Sequence, residues 1–155
     1  MKRINIVLFA PEIPQNTGNI SRTAAVTGAS LHLIRPFGFE ISDRTLKRAG
    51  LDYWDKLDIS YYDDWNDFVS KNPDADMYFF TSKGHKSYTS QSFPDNVYLV
   101  FGRETSGLPA EITSPYPERC LRIPMRKTLR CLNLSNAVAI AVYEALRQGG
   151  FEDLV

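Results

Sequence analysis

The chain has 155 residues, a formal net charge of zero and a hydrophobic content of 43%. These values suit one compact domain with a hydrophobic core, and they exclude a polycation that binds nucleic acid over its whole surface. No apolar run is long enough to span a membrane, so we expect a cytosolic protein. Two cysteines and two histidines argue against a disulfide framework and against a zinc site.

The sequence predicts strands that alternate with helices along the chain. The first apolar run favours a buried strand over a signal peptide because Asn5 interrupts it and Pro11 ends it. Strands are expected at 4–10, 31–34, 57–62, 77–81, 97–101 and 120–123. Four helices are expected. The first runs from a cap at Asn16 to Thr27 and ends at Gly28, and the second runs from a cap at Ser42 and Asp43 to Arg48. The third covers 65–71 after a cap at Asp63 and Asp64, and the fourth covers 135–148. Repeated strand–helix units predict an α/β fold with a parallel sheet flanked by helices, in one domain over residues 1–155.

Charge is distributed unevenly along this neutral chain. Residues 52–76 contain eight aspartates and two lysines, whereas residues 119–130 contain five basic residues and no acidic one. A polyanion would be attracted to the second segment, although charge runs are usually ordinary solvated surface. The basic residues are Arg119, Arg122, Arg126, Lys127 and Arg130.

The last predicted helix is unusually apolar at its start. Residues 137–142 are six apolar residues in succession, which cannot all face one side of a helix. Such a helix is buried over most of its circumference, either within its own domain or against a partner subunit. The pattern alone does not decide between these two arrangements.

A first candidate site follows the first strand, in the segment Asn16-Thr-Gly-Asn-Ile-Ser-Arg22. The carboxyl end of a parallel strand and the start of the next helix form the rim where such sheets bind ligands. Gly18 permits close approach of a ligand, and the guanidinium of Arg22 suits a phosphate or a carboxylate. The alternative is a capped helix with a surface arginine.

A second candidate site is the turn after the strand at 97–101. Gly102 and Gly107 have the spacing of a phosphate-binding loop, but Leu108 stands where that loop requires lysine. The Gly-x-Gly-x-x-Gly fingerprint of dinucleotide sites does not follow the first strand either. What remains is a glycine turn that carries Glu104, either as a loop that reads a base or sugar or as a tight turn with a surface acid.

The third candidate site lies between the last strand and the last helix. Asn133, Ser135 and Asn136 are crowded where a basic loop enters an apolar helix, and buried polar groups are costly unless they bind something. Basic neighbours could activate Cys131 as a nucleophile, but no histidine has a fixed place beside it in the sequence. We therefore favour ligand binding over covalent catalysis here.

The three segments together resemble the SPOUT methyltransferases. The motifs occur in the order Asn-x-Gly-x-x-x-Arg (16–22), Phe-Gly-x-Glu-x-x-Gly-Leu (101–108), Ile-Pro-Met (123–125) and Arg-x-Leu-Asn-Leu-Ser-Asn-Ala (130–137). The sequence is most similar to the small single-domain tRNA 2′-O-methyltransferases of this family that modify the wobble nucleotide. Segments 11–19 and 48–53 also resemble that subgroup, so the resemblance covers essentially the whole chain.

The resemblance implies a C-terminal trefoil knot, a homodimer and S-adenosylmethionine bound in the knot. It assigns catalysis to Arg22, Asn16, Glu104 and Asn133. It assigns the cofactor site to Phe80, Thr81, Gly102, Ile123, Met125, Cys131 and Leu132. It assigns contacts with RNA to Arg126, Lys127, Arg130 and Tyr143. No metal is implied. At position 131 relatives commonly carry serine, so Cys131 departs from the pattern.

The function implied by the resemblance is 2′-O-methylation of the wobble ribose, on cytidine or modified uridine, in the tRNA anticodon loop. Arg22 is expected to approach the cofactor site of the partner subunit. Because a guanidinium stays protonated, stabilisation of charge fits Arg22 at least as well as general-base catalysis. Two alternatives stay open at this point: the same chemistry on ribosomal RNA, and an RNA-binding module without catalysis.

Overall fold

The computed structural model describes residues 1–40, 56–129 and 131–155. Within this part, seven strands form one sheet in which every pair is parallel, in the spatial order β3-β2-β1-β6-β4-β7-β5. The strands are β1 (Arg3–Phe9), β2 (Ser30–Ile34), β3 (Ile59–Tyr62), β4 (Met77–Phe80), β5 (Lys86–Ser87), β6 (Asn96–Phe101) and β7 (Cys120–Arg122). The helices are α1 (Pro14–Thr27), α2 (Trp65–Lys71), α3 (Ala110–Thr113) and α4 (Leu134–Gln148).

Apolar side chains cover the sheet on both faces. One core lies under α1 and α4 and contains Ile6, Leu99 and Val142, which are fully buried. The other core lies under α2 and contains Val7, Phe68 and Phe79. Because β1 is buried on both sides, every residue after Arg3 is buried and all of them but Asn5 are apolar, in place of an alternating pattern. The predicted parallel α/β sheet is confirmed.

Helix α1 begins and ends for different reasons. Its last turn closes at Gly28, whose φ of 73° is the left-handed conformation expected from the sequence. Its start differs from the prediction: Ile13 is the N-cap, Pro14 occupies the first turn, and Asn16 lies inside the helix. Proline favours the first helical position because the missing N–H would have no partner there.

The other helix starts agree more closely with the sequence. Asp64 caps α2 by accepting a hydrogen bond from the Asp67 N–H, as predicted. Helix α4 starts at Leu134, one residue earlier than expected, because the side chain of Asn133 caps it. The predicted basic helix from 42 to 48 lies outside the described residues. The two-residue strand β5, the short helix α3 and the 3-10 turns at Tyr88–Ser90 and Pro117–Arg119 were not predicted.

The strand order places the candidate segments together. The chain runs from β1 outward to β2 and β3, then crosses to the other side of β1 for the remaining strands. In open parallel sheets a ligand-binding crevice is expected where the order reverses, which here is at the carboxyl ends of β1 and β6. After β7 the chain returns through residues 123–133 to α4, which packs on α1, β1 and β6. In the described part of the chain, no helix has the length and apolarity needed to cross a membrane.

Candidate functional site at the carboxyl edge of the sheet

Glu104 joins the turn after β6 to the loop that enters α1. Its carboxylate accepts hydrogen bonds from the backbone N–H groups of Glu12 at 2.8 Å and Ile13 at 3.0 Å. These donors precede the first helical turn, where a negative charge is favoured by the helix dipole. Since Ile13 offers no capping side chain, Glu104 provides this stabilisation from a loop 91 residues away.

Asn16 continues this contact toward the last helix. Its side-chain amide donates to Glu104 at 3.4 Å, and its side-chain oxygen accepts from the Asn133 amide at 3.1 Å. Asn16 is only 5% exposed, so this buried amide depends on both partners for its hydrogen bonds. We call these three residues the Asn133–Asn16–Glu104 cluster. It brings together one residue from each of the three candidate sites.

Asn133 has a second role as the cap of α4. Its side-chain oxygen accepts from the Ser135 N–H at 2.9 Å, from the Ser135 hydroxyl at 2.5 Å and from the Asn136 N–H at 3.4 Å. The side chain therefore fixes the helix start with its oxygen and holds Asn16 with its nitrogen. The polar crowding predicted at this position has a structural explanation within the cluster.

The turn that carries Glu104 is closed on itself. Arg103 and Gly107 exchange two backbone hydrogen bonds, at 3.1 and 3.0 Å. A Cβ on Gly102 would lie 2.1 Å from the carbonyl carbon of Gly107, so only glycine fits there. Gly107 itself has a φ of 68°, which glycine adopts without strain. The turn is therefore built by its own backbone, and Glu104 is held in place on it.

A reciprocal contact that the sequence did not suggest closes the same junction. The Glu12 carboxylate accepts from the Thr105 N–H at 3.2 Å and from the Thr105 hydroxyl at 2.7 Å. These hydrogen bonds hold the pKa of Glu12 below its usual value. Glu104 thus binds the loop of Glu12 while Glu12 binds the turn of Glu104. The only hint in the sequence is an acid directly after the proline that ends the first strand.

The residues expected to hold the cofactor begin at the ends of three adjacent strands. Phe80 at the end of β4 stacks on Phe101 at the end of β6, with ring centroids 4.9 Å apart. The Thr81 N–H donates to the carbonyl of Leu121 in β7 at 2.9 Å. Phe80, Thr81, Gly102 and Ile123 therefore lie at one edge. Met125, Cys131 and Leu132 lie on the loop from β7 to α4, where Cys131 is a free, exposed cysteine.

The residues expected to contact RNA are exposed where the structure describes them. Arg126 and Lys127 are exposed on the loop after β7, and Tyr143 is 45% exposed on α4. Arg130 lies outside the described residues. Arg22 is exposed on α1, six residues beyond Asn16, which corresponds to about 9 Å along the helix axis.

Arg119 is a different kind of residue from the rest of the basic segment. It precedes β7, donates to Asp76, and lies over the ring of Tyr78 at 4.9 Å. The hydrogen bond with Asp76 raises the pKa of its guanidinium. Its charge is therefore locally balanced, whereas Arg126 and Lys127 lie beyond the opposite end of the strand. Among the described residues, no group of three His, Cys, Asp or Glu side chains could hold a metal ion.

Comparison with known proteins gives a consistent result. The sequence profile of the SpoU rRNA methylase family matches residues 3–143. A Burkholderia cenocepacia protein named tRNA (cytidine(34)-2'-O)-methyltransferase is 50% identical over 151 residues, covering 96% of this chain and 97% of that protein. A solved structure presented as “Structural insights into the 2-OH methylation of C/U34 on tRNA” is 44% identical, with a TM-score of 0.90 and coverage of 97% and 99%. An AdoMet-bound rRNA methyltransferase from Sinorhizobium meliloti is 26% identical, with a TM-score of 0.82 over 94% of this chain and 56% of that one.

Proposed function

We propose that this chain, which belongs to the SpoU rRNA methylase family, is a tRNA 2′-O-methyltransferase that uses S-adenosylmethionine. Its target would be the ribose of the wobble nucleotide, cytidine or modified uridine at position 34, in the anticodon loop. The observation that carries the proposal is the Asn133–Asn16–Glu104 cluster, which joins three distant motifs at the crevice of the sheet. The names of relatives about half identical to this chain agree with this target.

The proposed cofactor site fits S-adenosylmethionine in its chemistry. Its residues are apolar or neutral, and none of them carries a carboxylate or a guanidinium: Phe80, Thr81, Gly102, Ile123, Met125, Cys131 and Leu132. When bound, this cofactor supplies a methyl group on a positively charged sulfonium, which becomes a neutral thioether as the methyl leaves. A neutral pocket suits a reaction that removes charge. A relative of this family binds AdoMet.

The residues of the chain would act mainly on the ribose. The 2′-hydroxyl is a weak acid, so its proton must pass to a base or to water as the oxygen attacks the methyl carbon, and the negative charge that develops on the oxygen must be stabilised. We assign the stabilisation of charge, and a contact with phosphate, to Arg22, whose guanidinium offers only hydrogen-bond donors. Asn16 and Glu104 would orient the ribose and the arginine. Asn133 would hold the loop from β7 to α4 in place.

Two features of the proposal concern architecture. We propose that the loop after β7 threads a trefoil knot within a single domain of residues 1–155. We also propose a homodimer that uses the outward face of α4, where Ile140 is 36% and Tyr143 45% exposed. In such a dimer Arg22 would complete the site of the partner subunit. A tRNA substrate implies a cytoplasmic location.

Nucleoside mass spectrometry tests the proposal directly. Unmodified tRNA transcripts and native tRNA lacking the modification are incubated with the protein and S-adenosylmethionine, and fragments containing position 34 are analysed. We expect one added methyl on the ribose at this position and none elsewhere. In a parallel incubation with ribosomal RNA, methylation of that RNA and not of tRNA would support the rRNA alternative. Binding of tRNA without methylation, at saturating cofactor, would support the non-catalytic module.

A further inference from the structure

A groove of about 320 Å³ lies beside the Glu12–Thr105 contact, outside the residues assigned so far. Its walls come from the loops that follow three adjacent strands. Glu12 follows β1, Phe37 and Gly38 follow β2, and Arg103 and Thr105 follow β6. Its volume falls at the lower end of the range of small-ligand sites, which begins at about 300 Å³.

The walls of the groove are fixed by close backbone contacts. The Gly38 N–H donates to the Pro11 carbonyl at 3.0 Å. A Cβ on Gly38 would lie 2.8 Å from the Cα of Glu12, so the two loops touch where only glycine permits it. The opposite wall is the closed turn from Arg103 to Gly107. The groove is therefore formed before any ligand binds, which reduces the entropic cost of binding.

Phe37 and Arg103 bring an aromatic ring and a guanidinium to the wall of the groove, and other aromatic and cationic side chains lie behind them. The ring of Phe37 is half-buried and stacks with Phe39, with centroids 6.1 Å apart. The guanidinium of Arg35 lies 5.4 Å from the Phe37 ring and 5.5 Å from the Tyr61 ring. The guanidinium of Arg103 lies 5.2 Å from the ring of Phe9. An aromatic face beside a guanidinium is the kind of surface on which proteins stack unpaired bases, and Arg103 suits an adjoining phosphate. Arg35 is itself paired with Asp63, with Nη1 and Oδ1 3.7 Å apart.

The groove shares a wall with the proposed catalytic cluster. Glu12 lines the groove, and its N–H donates to Glu104. A nucleotide whose ribose lies near Glu104 would therefore have bases within reach of Phe37. Resting on the function proposed above, we infer that this groove binds an unpaired base of the substrate RNA, either that of the methylated nucleotide or that of its neighbour. The carboxylate of Glu12 offers an acceptor to a base edge that carries an amino group.

Substitution of Phe37 tests this inference by binding alone. Phe37→Leu keeps apolar bulk and removes the aromatic face, whereas Phe37→Tyr keeps the face. The matched control is Tyr116→Leu, which removes an exposed aromatic ring before β7, at the opposite edge of the sheet. The measurements are the dissociation constant for an anticodon stem-loop RNA by fluorescence anisotropy, the affinity for S-adenosylmethionine by calorimetry, and the melting temperature.

We expect Phe37→Leu to weaken RNA binding at least about fivefold, the lower end of the effect of losing one stacked base. The Tyr variant and the control should bind RNA as the wild type does, and cofactor affinity should not change in any variant. Arg103→Lys provides a second test because it keeps the charge and loses the planar group, so it should also weaken RNA binding. Wild-type RNA affinity in both Phe37→Leu and Arg103→Lys would overturn the inference.

An abasic scan of the RNA identifies the base that is bound. Each anticodon-loop nucleotide is replaced in turn by an abasic one, and affinity is measured with the wild type and with Phe37→Leu. At the position held in the groove, the abasic RNA should bind the wild type more weakly than the intact RNA does. Phe37→Leu should bind the abasic and the intact RNA equally, because the two changes remove the same contact. Additive losses at every position would contradict the inference. If this coupling is found but position 34 is not methylated, the proposed function fails while the base-binding groove stands.

Discussion

The side-chain amide of Asn133 donates a hydrogen bond to the side-chain oxygen of Asn16 over 3.1 Å, across 117 residues of sequence. The contact ties the first turn of α1 to the start of α4, two helices that also pack on each other. Because Asn133 also caps α4, its contribution to helix stability can be separated from its contribution to the site.

Replacing Asn133 by serine or by alanine separates these two roles. Serine is a good N-cap but lacks the amide that holds Asn16, whereas alanine lacks both functions. We expect both variants to lower the free energy of unfolding by about 1–3 kcal/mol, because each leaves the buried side-chain oxygen of Asn16 without its donor. Asn133→Ala should lower it by about 1 kcal/mol more than Asn133→Ser, because it also removes the cap. Both should reduce methyl transfer to tRNA at least tenfold. Urea denaturation and a radiolabelled methyl-transfer assay provide the two measurements, and full activity of the serine variant would refute the role of the Asn16 contact.

Gly102 and Gly28 form a matched pair of glycines. A Cβ at Gly102 would meet the backbone of Gly107 at 2.1 Å, whereas Gly28 has a φ of 73° and open space around it. Alanine should destabilise the protein by about 1–3 kcal/mol at position 102 through overpacking and by about 1–2 kcal/mol at position 28 through backbone strain. Only Gly102→Ala should weaken S-adenosylmethionine binding, because only that turn borders the proposed cofactor site. Calorimetry checks this, and equal cofactor affinities in the two variants would contradict the placement of the site.

The exposed basic residues after β7 should control the salt dependence of tRNA binding. Reversing Arg126 and Lys127 to glutamate removes two phosphate contacts, so affinity should fall and the slope of log K against log salt should become shallower by about two. The control compares the salt slopes of two single charge reversals. Lys127→Glu lies on this surface, whereas Lys56→Glu reverses one exposed charge in the aspartate-rich segment. An unchanged slope in the double variant, measured between low and high salt, would exclude this surface from the RNA interface.

Thr17 carries a buried hydroxyl that has no hydrogen-bond partner among the described residues. The residue is 0% exposed and lies in the first half of α1, beside Asn16. An unpaired buried hydroxyl costs about 1–3 kcal/mol, and valine has nearly the same shape without it. We therefore expect Thr17→Val to leave the free energy of unfolding unchanged or to raise it by about 1 kcal/mol in urea titrations. A loss of stability would show that the hydroxyl binds a buried water or another partner.

Local signals in the sequence predicted local features well. Gly28 and the Asp64 cap were recognised because their effect extends over one helical turn. The start of α1 was assigned to the wrong residue because Glu104, 91 residues from Ile13, supplies the carboxylate there. The strand β5 has only two residues and exists through its pairing with β7, so no periodicity could indicate it.

The same reasoning applies to the candidate site. Asn16, Glu104 and Asn133 were identified by the order of their motifs, and the structure places them in one hydrogen-bonded cluster. The contact between Glu12 and Thr105 was missed because the pair is separated by 93 residues. Thr105 stands at an unspecified position of the motif 101–108, and nothing in the segment 11–19 indicates that Glu12 faces it. Tertiary structure, not local sequence, determines such contacts.

Stability toward acid should depend on the buried residue His32. Its ring lies in the core with Nδ1 2.7 Å from the Tyr62 hydroxyl and Nε2 3.2 Å from the side-chain oxygen of Asn5. The amide of Asn5 donates to Asn96 and to the carbonyl of Val97. Its oxygen therefore faces the ring and accepts from Nε2–H, and the neutral ring accepts from Tyr62 at Nδ1.

Burial lowers the pKa of His32 from 6.5 to about 4. The unfolded chain therefore binds a proton at this residue below pH 6.5 while the folded chain does not. The resulting loss of stability begins as the pH falls through about 6.5 and reaches at most about 3 kcal/mol near pH 4. Above pH 7 the residue contributes no pH dependence. Urea unfolding should be measured at pH 7.5 and at pH 4.5. The loss in free energy of unfolding between these two values should be smaller for His32→Gln than for the wild type by about 2 kcal/mol. The control is His85→Gln at an exposed position, which should show the same loss as the wild type. Parallel pH profiles for the wild type and His32→Gln would contradict the neutral buried state of His32.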